Sequence, residues 1–235
     1  MRNRIVIFRL PFRGLTDEFL PLRGNPAYEV EWLRPQDYDG KARVIILPGS
    51  GRTIDDLAAL RESGGAEAIR RHLAQGGIVV GVCGGYQILG QWLHDPRLSQ
   101  GSEKLVRGLG YLPHSTVFGP SSLTEPTAPA PWLSSKTTGL LLVGNGAGGT
   151  VIGEERRSGY SFTNEPDASY LPLIAVQNRE LHESLPDEET IGDVLWQPGR
   201  ELVDGLVSRD RQVWGSYLHL IFHNDAFLRS FFEVV

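Results

Sequence analysis

The chain is poor in the residues that mark several large classes of protein. It has one cysteine in 235 residues, so no disulfide can form within it. An unpaired thiol suits a reducing compartment, and the cytoplasm is the expected location. No long apolar run occurs. The first strand-like stretch, RIVIFRL (Arg4 to Leu10), is too short and too charged for a signal peptide or a membrane span, so no membrane partner is expected. Positive charge is not in surplus either: the formal net charge is −5, which gives no electrostatic footprint for nucleic acid. The pattern G-x-x-x-x-G-K-[ST] is absent, which removes nucleotide-phosphate loops of that type. There is no internal repeat. What remains is an ordinary apolar share of 40%, enough to bury a core in one large domain over residues 1–235.

The first half alternates strand and helix signals. Branched residues over Ile5–Leu10 end at Pro11, YEVEWL (28–33) follows, and RVIILP (43–48) is a continuous apolar run suited to a strand covered on both faces. Next comes a helix starting near Ile54, for which Thr53 and Asp56 form a capping box. A second helix, AEAIRRHLAQ, stops at Gly76. GIVVGV (77–82) is a fourth strand. This alternation predicts an α/β fold around a largely parallel central sheet. Residues 119–138 are rich in proline and serine and read as loop, and the whole stretch 119–200 is harder to assign. GLLLVGNGAGGTVIGEE reads as two strands joined by a glycine-rich turn, and no helix pattern follows to make it a phosphate site. At the carboxyl end, a strand over Val213–Leu218 precedes a helix over Asp225–Phe232, with Asn224 or Asp225 as its cap.

The lone cysteine sits in GVCGGYQ (81–87), directly after an apolar strand. A buried cysteine can be simple core filling. The spacing Gly81-x-Cys83-x-Gly85 is also that of a nucleophile elbow, a sharp strand-to-helix turn in which flanking glycines let strand and helix pack closely. A helix starting there points its N-terminal dipole at the sulfur, and the N–H of Gly84 is placed to hold a developing oxyanion. An elbow of this kind needs a base. Of the six histidines, His72 and His94 read as surface positions, and His114 and His182 lie in loop-like contexts. His219 ends the apolar run VWGSYLH, where a parallel strand would deliver it to the functional edge of the sheet. His223 is the weaker candidate. The loop LPGSG (47–51), with Gly49, Ser50 and Gly51, leaves another strand at the same edge and could supply a second oxyanion donor.

Together PGSGRTIDDLAALRESG, GVCGGYQILG, GLGYLP and VWGSYLHLIFHNDAF resemble the class I glutamine amidotransferase domain of the cobyric acid synthase and cobyrinic acid a,c-diamide synthase type. FRLPFRGLTDEFLPL matches the run that opens that domain. The resemblance implies a flavodoxin-like sheet flanked by helices. It implies that Cys83 attacks the side-chain amide of glutamine and that His219 moves the proton. Gly49, Ser50, Gly51 and Gly84 would serve the oxyanion, and Gln87 and Tyr160 would hold the substrate. No metal or cofactor is expected in this chain. ATP and Mg2+ belong to an ATP-dependent amide ligase, the implied partner that would use the ammonia for corrinoid amidation in cobalamin biosynthesis.

The sequence departs from the resemblance at three places. Ile221 stands where many class I members have a glutamate that orients the histidine, so the catalytic set reads as a Cys-His dyad. Leu220 replaces the usual glycine. GYSFTN (159–164) keeps Tyr160 but replaces a family Gly-Tyr-Glu-Ile-His. Two other readings stay open: an amidotransferase subunit for the peptidoglycan precursor lipid II, and a catalytically degenerate binding or regulatory domain.

Overall fold

The computed structural model describes residues 3–118, 133–163, 169–182, 189–191, 194–196 and 202–233. Its first part is built as the periodicity predicts. Strands β1 (Asn3–Phe8), β2 (Tyr28–Leu33), β3 (Val44–Leu47) and β4 (Ile78–Val82) pair in parallel in the order β4-β3-β1-β2. β3 and β4 are buried at every residue, which is why their sequences run apolar without alternation. Helices α1 (Leu20–Gly24), α2 (Thr53–Glu62), α3 (Gly65–Ala74) and α4 (Gly84–Leu89) lie along this half. Gly76, at φ +81°, takes the left-handed conformation that closes α3.

The capping box expected for α2 does not form. Gln100, from a distant loop, caps the helix instead. Its backbone carbonyl accepts the N–H groups of Ile54 and Asp55, both at 3.1 Å, and its Oε1 accepts that of Thr53 at 3.1 Å. Asp95 in turn accepts the Gln100 N–H at 2.6 Å. This frees the Thr53 hydroxyl and the Asp56 carboxylate for other partners. His72 also departs from expectation: it is buried, accepts from the Tyr38 hydroxyl at Nδ1 and donates from Nε2 to the carbonyl of Ile78. Burial holds its imidazole below the ordinary value.

A small second sheet follows, with strands β5 (Trp92–His94), β6 (Leu105–Arg107) and β7 (Ser115–Phe118). Residues 119–132 of the expected loop lie outside the described residues, but 133–138 are strand. They belong to β8 (Leu133–Leu141), which pairs antiparallel with β9 (Thr150–Arg157) across the glycine-rich turn. β10 (Gly159–Phe162) joins the small sheet. β11 (Tyr170–Leu181), the short hairpin β12 (Glu189–Ile191) and β13 (Val194–Trp196), β14 (Val203–Ser208), β15 (Val213–Ser216) and β16 (Leu218–His219) complete the strands, and α5 (Asp225–Phe232) ends the fold.

The main sheet has ten strands in the order β16-β9-β8-β11-β14-β15-β4-β3-β1-β2. The parallel core runs from β15 to β2, as expected, and an antiparallel half continues from it. Only Tyr217 separates β15 from β16, yet β16 lies at the far edge, paired with β9. The antiparallel half must therefore curl until β9 reaches the end of β15, enclosing a small barrel-like wall. Its inner face is polar: Glu155 of β9 accepts from Arg157, Arg179 and Thr137 at 2.7–3.0 Å, and all four side chains are almost wholly buried. α5 packs Phe227 and Phe231 edge-on against Trp214 of β15, with Phe222 beside them. Asn224 precedes α5 without capping it, because its amide clamps Ile152 and the carbonyls of Leu220 and Ile221. Among the described residues no helix is long and apolar enough to cross a membrane.

Candidate active site

Three parallel strands, β3, β4 and β15, deliver their carboxyl ends to one edge of the sheet. β4 runs into Cys83, which stands at φ +50°, ψ −107°, a conformation that L-residues rarely adopt. The strain is held from both sides. The Cys83 N–H donates to the Ser216 carbonyl at 2.8 Å, and the Cys83 carbonyl accepts from Gln87 at 3.0 Å as α4 begins. The elbow glycines are required for space. A Cβ on Gly81 would lie 2.6 Å from the Gly85 carbonyl carbon, and one on Gly85 would overlap the Leu47 carbonyl oxygen.

The structure brings His219 to Cys83. Both line the open face of Gly49, where a Cβ would meet His219 Cε1 at 2.7 Å and Cys83 Cβ at 3.6 Å. Leu220, at φ +64°, turns the chain immediately after the histidine. The expected dyad gains a third member that sequence reading missed. Nδ1 of His219 donates to Oε2 of Glu18 at 3.1 Å, and Glu18 is completely buried. The carboxylate comes from 201 residues away in sequence, in the segment between β1 and α1. Burial alone would lower the basicity of His219. Cys83 and Glu18 outweigh it and push the imidazole up to about 10. The site thus favours the protonated form of His219. The Cys83 thiol also reaches the carbonyl of Arg156 at 3.4 Å.

The remaining predicted residues divide. Gly84 packs on the 49–51 loop, where its missing Cβ would fall 2.7 Å from the Ser50 nitrogen. The Gly51 N–H is committed to the Phe12 carbonyl at 2.9 Å, and the Gly49 carbonyl accepts from Gly14 at 2.7 Å. Gly51 is therefore a brace between the loop and residues 12–14, not an open donor. Asp56 completes the brace, accepting from the Ser50 hydroxyl at 2.6 Å and the Phe12 N–H at 2.9 Å. Gln87 is buried beside the site, with Oε1 accepting from Thr53 at 2.9 Å and Nε2 donating to the Tyr217 hydroxyl at 3.3 Å. Tyr160 is placed differently from expectation. Gly159 is the residue packed on Gln87, and successive strand side chains alternate faces, so Tyr160 points away and stacks on Phe162. His114 is buried against Tyr86, which drives its imidazole down to about 3, and His182 pairs with Glu154. His223 is exposed. Among the described residues no group of three His, Cys, Asp or Glu side chains converges as a metal site would require.

A strained thiol stands at a strand-to-helix elbow, and a histidine just past the break that follows the neighbouring parallel strand closes on it. A chain in the structure of PurLQS from Thermotoga maritima superimposes with a TM-score of 0.65 over 99% of both chains. At 16% identity that likeness speaks for the fold alone. A second solved structure, of a glutamine amidotransferase, gives a TM-score of 0.60 at 16% identity, covering 98% of this chain and 97% of the other. The chain belongs to the CobB/CobQ-like glutamine amidotransferase domain family, whose family model matches residues 4–227. Its relatives include the cobyric acid synthase of Synechocystis sp., 32% identical over 96% of this chain and 38% of that protein. That of Listeria monocytogenes serotype 4a is 30% identical over 97% of this chain and 38% of the relative. The chain thus spans about two-fifths of the length of the curated relatives it matches.

Proposed function

We propose that the chain hydrolyses glutamine through Cys83, His219 and Glu18 and delivers the ammonia to an ATP-dependent amide ligase. The observation that carries this reading is the buried contact of Glu18 with His219 beside the strained Cys83. The thiolate of Cys83 attacks the side-chain amide carbon, forming a C–S bond, while the carbonyl becomes an oxyanion beside the backbone of Gly84 and Ser50. His219 gives its proton to the departing nitrogen as the C–N bond breaks, releasing ammonia and leaving a γ-glutamyl thioester. Water then attacks the thioester, with His219 taking its proton. Collapse gives glutamate and restores the thiol.

The names of the relatives support a choice of acceptor. The relatives are named cobyric acid synthase, and the part of each that this chain does not match is where a ligase would lie. We therefore assign ATP and Mg2+ to that partner region and a corrinoid carboxylate to the acceptor. A reducing compartment such as the cytoplasm would keep the single thiol active.

The test is glutamine hydrolysis by the chain, alone and with its ligase. Hydrolysis is expected to vanish in Cys83→Ala, and a diazo-ketone analogue of glutamine should attach to Cys83 one to one. A thiol that stays unlabelled with the ligase present would defeat the reading in favour of a degenerate binding domain.

A further inference from the structure

β15 and β16 are interrupted at Tyr217, where the chain leaves one neighbour and joins another. Up to Ser216 it pairs with β4, and from Leu218 it pairs with β9. The pairing of β15 with β14 fails at the same level: it is in register at Leu206 with Gly215, then Gly205 turns to φ +73°. A ladder broken there would leave backbone groups unpaired in the interior.

A side chain on β14 takes their place. Oδ1 of Asp204 accepts the Tyr217 N–H at 3.0 Å, and Oδ2 accepts the Ser216 hydroxyl at 2.5 Å. The Ser216 oxygen in turn accepts the Leu218 N–H at 2.9 Å. Ser216 and Leu218 are the two residues that fix the site. The Ser216 carbonyl holds the Cys83 N–H at 2.8 Å, and Leu218 adjoins His219. Tyr217, between them, is tied through its hydroxyl to Gln87 and Ser161 and lies under the Arg157 guanidinium at 4.3 Å.

The geometry points to Asp204 as a positioning residue that sets the spacing of Cys83 and His219 by clasping the strand break between them. This rests on the hydrolytic reading above. Asp204 touches neither reacting group and acts through Ser216 and Tyr217. The Ser216 hydroxyl it holds is the one that spans the break to the Leu218 N–H.

The clasp needs an ionised carboxylate. Ser216 both donates to Asp204 and accepts from Leu218, so a proton on Oδ2 would compete with the serine hydroxyl for the same space. The groups facing Asp204 are Glu155 and Arg157 from β9, Tyr86 from α4 and Tyr217 itself, with Arg179 of β11 acting through Glu155. Burial, then Glu155, raises the Asp204 carboxyl to about 6, against the hydrogen bonds from Ser216 and Tyr217 and the charge of Arg157. The clasp is intact above that pH and loosens below it.

The experiment compares wild type, Asp204→Asn and Ser216→Ala in glutamine hydrolysis and in alkylation of Cys83 by iodoacetamide, with circular dichroism as the check on fold. Asp204→Asn should keep its fold and its KM for glutamine. It should lose roughly 10- to 100-fold in kcat, as misplacement of reacting groups does, and lose the wild-type acid limb near pH 6. Alkylation should slow in parallel. A folded Asp204→Asn with wild-type kcat and acid limb overturns the inference, even if it melts at a lower temperature. Should that variant fail to fold, Ser216→Ala decides, because it removes the Oδ2 link while the carboxylate keeps its bond to the Tyr217 N–H. Wild-type kcat in Ser216→Ala overturns the clasp, and a reduced one upholds it. Were wild type itself unable to hydrolyse glutamine, the hydrolytic reading would fall, and the alkylation rates would still judge the positioning: equal rates overturn it, slower rates in the variants uphold it.

Discussion

Glu18 is the residue that holds the orientation of His219. Its Oε2 accepts the Nδ1 proton of His219, which leaves the other ring nitrogen for the sulfur side. Glu18→Gln should retain glutamine binding but lower kcat by roughly ten- to a hundredfold, because the imidazole loses its orienting anion. Steady-state kinetics would show this as a fall in kcat with KM nearly constant. The same substitution has a stability signature. His219 is raised when folded, so its contribution is fully present below the unfolded value of roughly 6.5 and is lost as pH rises through about 10. The melting-temperature gap between wild type and Glu18→Gln should therefore be widest below roughly pH 6.5, narrow through neutrality and close as pH passes about 10. A gap that stays constant to high pH would show that Glu18 does not set the proton affinity of His219.

At the scale of elements, the elbow and the α2 cap make opposite demands on the neighbouring chain. Gly85→Ala places a methyl against the Leu47 carbonyl oxygen, backbone that cannot yield, so β3 and α4 must separate. We expect a loss of about 1–3 kcal/mol by denaturant titration, together with slower alkylation of Cys83. Gln100→Ala removes one bond to the helix start, that to Thr53, while its backbone still caps Ile54 and Asp55. Its cost should be smaller, about 1 kcal/mol. The two cases also show what was legible in the sequence. β2 and α5 fall on the predicted residues, because each is a continuous segment whose pattern lies within itself. Cys83 and His219 were legible for the same reason, each ending an apolar strand. Glu18, Gln100 and Asp204 were not, since each acts on a partner far along the chain and carries no local pattern. Thr53 and Asp56 misled as a capping box because spacing describes a helix start but not the competitor that occupies it.

The whole molecule is held by two unlike interiors. Around α5 the core is aromatic, and Trp214→Ala should cost about 3–5 kcal/mol, seen as a lower denaturation midpoint. Inside the curled antiparallel half the filling is charged. Burial alone would raise the Glu155 carboxyl, but Arg157 and Arg179 outweigh it and hold it below the ordinary range. Its contribution to stability is therefore present above the unfolded value and lost as pH falls through the folded one, whereas that of Asp204, raised to about 6, is lost as pH rises through that value. Glu155→Gln removes the anion that pairs with two buried guanidinium groups and should cost about 3–5 kcal/mol, a loss that calorimetry would register as a drop in melting temperature. The 201-residue span between Glu18 and His219 also has a consequence in time. At about 5–20 residues per second, the ribosome needs roughly 10–40 s to travel from one to the other. A nascent chain thus carries Glu18 well before the histidine it holds, and the buried pair can form only once synthesis has passed His219.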